Sequence, residues 1–363
     1  MSVSDLFEPV PLLHGAPMKN RFMLGPLTNR QSEPDGLATD YDVDWVTRAA
    51  RGGYALTQTC ATTVEAGGKT FLGQLGIHDD RHLAGLKRMA EGIRRGGSLS
   101  AVQIHHGGHR VDPALGGIPA AASDDPVSGA RAMSIERVEE LRDSYIMAAV
   151  RAEQAGFDGV VLHGAFGFAL SQFLSPALNR RSDRYGGSLE NRSRIIFEII
   201  DGIRKLTGPS FQVGLRLSVE RFGLDPEELR DVAAETFRRQ AIDYLDLALW
   251  DSKQRMTDLT GRDRTTLSLF TELSRNGVKV GSAGKIMSAK RAGELVDEGC
   301  DFVVIGRAAI LHADFPHRVR DNPEYVSPTL PVTKQFLEGE GLSPPFIEYM
   351  RSTWPNFVDV DAA

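Results

Sequence analysis

Only two cysteines, Cys60 and Cys300, occur in 363 residues. Two thiols cannot build a disulfide framework, nor a four-cysteine iron–sulfur or zinc site, so any redox cofactor must be organic. Long apolar runs are also missing: no stretch reaches the roughly 18 residues that a membrane-spanning helix needs. The opening MSVSDLFEPVPLLHG carries acids where a secretory leader would be basic and then apolar. A cytoplasmic protein with no membrane partner is expected. Lysine and arginine gather into no stripe and the formal net charge is −6, which argues against a nucleic-acid partner. No G-x-G-x-x-G turn follows an early strand, which disfavours a doubly wound dinucleotide fold. Low-complexity segments, fixed-period repeats and long linkers are absent too.

What remains is an ordinary globular composition, 41% hydrophobic and 25% charged, organised as short apolar runs alternating with helix-period segments. Such alternation belongs to parallel strands joined by crossover helices, and about eight units are present, the number of a TIM barrel. The expected strands are 22–27, 54–59, 99–105, 159–163, 211–217, 244–249, 278–281 and 302–305. Several are continuous apolar runs, as strands buried on both faces should be. Helical spacing marks Leu83, Leu86, Ala90 and Ile93, and the segments 135–154, 189–206, 226–240 and 289–298. The fold class is therefore α/β, a (β/α)8 TIM barrel forming a single domain over 1–320. Residues 321–363 are Pro-rich loop and a short aromatic-bearing stretch, expected as a C-terminal extension packed on the barrel. A homo-oligomer using that extension is left open.

In such a barrel, polar residues at the C-terminal ends of strands form the site. Thr28, Cys60, Gln103, His163 and Arg216 fall there. The turns Gly281-Ser282-Ala283-Gly284 and Gly306-Arg307 follow strands seven and eight, where these barrels hold phosphate; each also suits a plain tight turn with a surface arginine. Arg216, flanked by apolar positions, needs an anion or an internal ion pair with Asp246 or Asp251. The run HHGGHR offers His105, His106 and His109, yet Gly-Gly breaks the helix that would align two of them and no carboxylate completes a set, so no metal is expected. Cys60 reads as a packed small residue or a reactive thiol. Trp250 reads as a core tryptophan or an aromatic wall of the site.

The stretch from Ser171 to Arg194, SQFLSPALNRRSDRYGGSLENRSR, resembles the signature of the old yellow enzyme family. GPLTNR at Gly25–Arg30, QIHHGG, GLRLS, GSAG and IGR carry further matches across the barrel. The resemblance implies noncovalent FMN reduced by NADH or NADPH. By this match Pro26, Leu27 and Thr28 lie along the flavin ring, and Cys60 stands where the family has Ala or Gly. Gln103 bonds the pyrimidine edge, Arg216 faces N1–C2, and Ala283, Gly284, Gly306 and Arg307 grip the phosphate. His163 polarises the carbonyl of a small-molecule alkene, which then receives hydride from flavin N5 at its β-carbon.

Two departures stand in the segment HGAFGF. Phe166 occupies the place of the family's second carbonyl donor, His or Asn, and Phe168 that of its proton-donating Tyr. Together with His163 and Trp250 they are the expected substrate contacts; Asn29 and His106 are the other candidate proton donors. An alkene reductase with an atypical site is the leading expectation. An FMN-dependent dehydrogenase or oxidase of another substrate, and a flavin-binding protein with little turnover, are the alternatives. A Schiff-base aldolase would need a strand-end lysine, and Lys279 and Lys253 do not supply one.

Overall fold

The computed structural model describes residues 3–359. The outer limits of the expected barrel and extension, residues 1–2 and 360–363, lie outside that range. Eight parallel strands close on themselves: β1 (Phe22–Leu24), β2 (Leu56–Gln58), β3 (Leu99–His105), β4 (Gly159–Gly164), β5 (Gln212–Leu217), β6 (Tyr244–Ala248), β7 (Lys279–Ala283) and β8 (Phe302–Ile305). Each pairs with the next, and β8 returns to β1 through Phe22–Val303, Met23–Val304 and Leu24–Ile305. Closure leaves the barrel no edge to protect. The expected first strand is cut short after Leu24, where Gly25 N–H still bonds Ile305 O at 2.9 Å and Pro26 has no N–H to continue the ladder.

Helices cover the outside: α1 (Asp40–Arg51), α2 (Leu83–Arg95), α3 (Ile135–Gln154), α4 (Leu189–Leu206) and α5 (Pro226–Arg238). The first has no counterpart among the periodic segments read from the sequence. Thr39 and Asp42 form a reciprocal capping box at its start, and Trp45, Val46, Ala49 and Ala50 are its buried face. Between β6 and β7 the crossover is a hairpin, Arg255–Thr257 with Asp263–Thr265, followed by the single turn Ser268–Thr271. The last full barrel helix is α6 (Ala289–Asp297). Two short helices, Lys334–Gly339 and Pro344–Thr353, follow the barrel. Phe346 meets Trp45 edge-on at 5.2 Å, and Ser343 Oγ donates to Gln31 Oε1 at 2.7 Å.

Strand alternation sorts the interior into two levels. Near the N-terminal end Met23, Leu56, Ala101, Val161, Tyr244, Phe302 and Val304 pack together with Val10 and Met18. These last two are bridged antiparallel, so residues 10–18 plug that end. A Cβ on Gly281 would sit 2.2 Å from the Phe302 ring, which is why a residue without a side chain stands there. Two residues further along β3, β4, β5 and β6 the same inward face carries Gln103 and His105, His163, Arg216 and Asp246. The register sets His163 beside Arg216 and Arg216 beside Asp246. The barrel is thus apolar below and polar above.

Candidate active site at the C-terminal end of the barrel

His163 is 3% exposed, and its Nδ1 accepts from Ala165 N–H at 3.3 Å. That bond leaves the ring proton of the neutral form on Nε2. Burial pushes the imidazole well below the usual histidine range, and the neighbouring His105, Arg216 and Arg110 push it the same way. A neutral Nε2–H donor is the result.

Gln103 is buried with its Nε2 unpartnered, and Arg216 has an unpartnered Nε. A buried donor left unpaired costs about 1–3 kcal/mol, so two of them at one level mark a place for a ligand with acceptor atoms. The charge partner of Arg216 is Asp246, bonded through a terminal guanidinium nitrogen. Of the two carboxylates considered, Asp246 holds it, while Asp251 pairs with Lys285 at 2.9 Å. Burial pushes the Asp246 carboxyl up, against the pull of Arg216 and Gln58.

Pro26, Leu27 and Thr28 line the loop after β1 and are half-buried. Cys60 is turned into the main apolar cluster, where burial raises its thiol pKa far above the usual range, so the packed reading holds and the reactive one does not. At the ends of β7 and β8, Ala283, Gly284, Gly306 and Arg307 are all half-buried. Gly284 has φ +128°, and a Cβ there would meet the Ser252 backbone N at 2.5 Å. Gly284→Ala is therefore expected to lower stability by about 1–3 kcal/mol, read as a drop in Tm. Arg307 lines a cavity of about 300 Å³ with Lys285, Met287 and Ser327.

Phe166 and Phe168 pack against His163. Their rings lie 5.9 and 5.0 Å from that of His163, and the Arg216 guanidinium is 5.8 Å from the Phe166 ring. Phe166 has φ +58°, a left-handed conformation that suits Asn and costs most other side chains about 1–2 kcal/mol. Its N–H is held by Ser218 Oγ at 3.0 Å. Phe222, from the loop after β5, meets Phe166 at 6.5 Å. Trp250 is 46% exposed, with the Arg221 guanidinium 4.5 Å over its ring. Neither the core reading nor a buried wall describes it; it stands at the rim.

The three histidines of HHGGHR separate. His106 faces outward from β3, 3.4 Å from Glu65 Oε2. Burial opposes ionisation of Glu65, but His106 and Arg137 hold its pKa down to about 2. His106 is thereby removed from the list of substitute proton donors. His109 lies near Asp125. His105 points inward, fully buried, with both ring nitrogens unpartnered and its ring 5.2 Å from that of His163 and 4.4 Å from that of Phe168. Its spacing of two from Gln103 puts both side chains on one face of β3. Asn29 is buried with an unpartnered Oδ1.

A closed parallel barrel with one plugged end, and buried unpaired donors at the other, defines a pocket for an organic ligand rich in acceptor atoms. Residues 5–324 match the model of the NADH:flavin oxidoreductase / NADH oxidase family, and the chain belongs to that family. It is 34% identical over 88% of its length to a probable NADH-dependent flavin oxidoreductase of Bacillus subtilis, covering 88% of that protein. A probable flavin mononucleotide-dependent alkene reductase of Leishmania infantum is 30% identical, with 87% of this chain and 90% of that one covered. Against the NADH oxidase of Thermoanaerobacter brockii, 30% identical over 84% of this chain, it spans 49% of the relative's length. Among solved structures, the old yellow enzyme of Pichia sp. AKU4542 superposes with a TM-score of 0.77 at 26% identity, over 89% of this chain and 88% of that one. Members of the family are FMN-dependent NAD(P)H oxidoreductases and ene-reductases. No helix among the described residues is long and apolar enough to cross a membrane.

Proposed function

We propose that this chain is an FMN-dependent NAD(P)H oxidoreductase that reduces an activated alkene held between His163 and the two phenylalanines. The observation that carries the reading is the inward row on adjacent strands, in which Gln103 Nε2 and Arg216 Nε are buried without partners. Gln103 and Arg216 would hold the polar edge of the FMN ring, Pro26, Leu27 and Thr28 one side of it, and Ala283, Gly284, Gly306 and Arg307 its phosphate. The backbone beside Cys60 is assigned to the same cradle. When bound, FMN carries an electron pair from NAD(P)H to the alkene. His163 Nε2–H donates to the substrate's electron-withdrawing group and stabilises the charge that develops there. Phe166, Phe168 and, at the rim, Trp250 shape the apolar part of the pocket and exclude water. Among the described residues, we assign those up to 320 to the cofactor-binding barrel and those from 321 on to an extension packed on it.

The purified protein is expected to be yellow and to release FMN on denaturation, and its colour should bleach anaerobically with NADH or NADPH. Recovery of FAD, or of no flavin after reconstitution, overturns the assignment. Absence of bleaching with either nucleotide would favour a flavin-binding protein with little turnover. Phe166 and Phe168 support one further reading with the same cofactor, a substrate other than a simple enone.

A further inference from the structure

A second group of histidines lies outside the site described above. His78 and His82 stand in the run HDDRH that leads into α2. Asp79 ties both rings from one side. Its backbone carbonyl is 3.0 Å from His82 Nδ1, and its carboxylate is 3.6 Å from His78 Nε2. Oxygens so placed favour the proton of each neutral ring on the nitrogen that faces them. His82 Nε2 and His78 Nδ1 are then left with bare lone pairs. Both atoms are buried without a partner, and His82 as a whole is 1% exposed.

These two nitrogens converge on Gly76. A Cβ there would lie 2.6 Å from His82 Nε2 and 3.1 Å from His78 Nδ1. The φ of Gly76 is not in the left-handed region, so the backbone does not call for glycine; the space in front of the imidazoles does. The rings meet at a steep angle with centroids 4.3 Å apart, and one ligand atom from each of His78, Asp79 and His82 fits within a span of 4.8 Å. The cations of this corner are engaged elsewhere. Arg81 pairs with the Asp79 carboxylate at 3.0 Å, and Lys69 Nζ donates to Pro34 O at 2.6 Å.

We propose that His78 and His82 form a binding site for a divalent metal ion of the kind imidazole favours, with zinc as the probe. Asp79 orients both rings from behind, as the outer partners of metal-bound histidines do, and water completes the coordination. The site is structural and separate from the flavin chemistry. Gly76 N–H bonds Gly36 O at 2.9 Å and Ile77 N–H bonds Thr63 O at 3.0 Å, so an ion here clamps the junction between these segments and the start of α2.

Equilibrium dialysis and calorimetry with Zn²⁺ test this on the full-length protein as purified and then stripped with EDTA. Wild type is expected to take up one equivalent of zinc and to melt at a higher temperature with it. His78→Gln and His82→Gln should each weaken binding by at least about 10-fold, and Asp79→Asn by about 10- to 100-fold, the usual cost of losing an outer partner. His78 is the less buried of the two histidines, so His78→Gln decides the matter if His82→Gln does not fold. Failure of the wild type to take up an equivalent of zinc overturns the proposal. So does a folded His78→Gln variant that binds zinc with unchanged affinity, because the ion would then lie on other residues.

Discussion

Phe166→Asn combined with Phe168→Tyr should raise cyclohexenone reduction by about 10²–10³-fold. In the wild type one neutral donor, His163 Nε2–H, serves a substrate carbonyl, and removal of one donor from a site of this kind costs on the order of 10²–10³ in rate. Asn at 166 would restore a second donor at 5.9 Å ring distance from His163, and Tyr at 168, whose ring now packs at 5.0 Å, would restore a proton source worth roughly 10²–10⁴-fold. Phenols are expected to bind better in the same variant and to produce a new long-wavelength absorbance. A folded, flavin-loaded double variant that gains neither enone turnover nor phenol affinity would mean that the phenylalanines are not what limits this pocket.

Arg216→Met should cost about 3–5 kcal/mol of stability, because it leaves the fully buried Asp246 carboxylate without its partner. Replacing both, as Arg216→Met with Asp246→Leu, should return most of the loss. The pH dependence follows from linkage. Burial raises the Asp246 pKa in the folded chain, and deleting Arg216 raises it further, so the folded state of the single variant binds more protons than the unfolded state. Its deficit should be fully present above that raised pKa and shrink as pH falls toward the ordinary carboxylate value. The single variant should also release FMN more readily and lower the midpoint potential of what it retains. An unchanged potential would place Arg216 away from the cofactor.

The strands could be read from the sequence because runs such as 159–163 and 302–305 are buried on both faces and therefore continuously apolar. Gln103, His163 and Arg216 were legible as strand-end polar residues for the same reason. Helix α1 was not, because its signal lies in the Thr39–Asp42 cap rather than in a long apolar stripe. The β6–β7 crossover was obscured because a polar hairpin and one helical turn replace a periodic helix. His105 was hidden inside a histidine run whose members face opposite ways. The place of Arg110 over Phe168 joins two loops far apart in the chain, which no local pattern encodes. The choice of Asp246 over Asp251 as counter-ion depends on register across β5 and β6.

The left-handed turn at Phe166 bears on how this pocket can change in evolution or in the laboratory. New activity usually erodes stability, so variants must spend a reserve before they improve. At this position the backbone already has a shape that favours asparagine, and its N–H is anchored on Ser218 whatever side chain follows. A step from Phe to Asn would relieve conformational strain while adding a polar contact. Adaptation toward carbonyl substrates could therefore begin here without a prior stabilising mutation, and a library centred on residue 166 should retain an unusually large share of folded members.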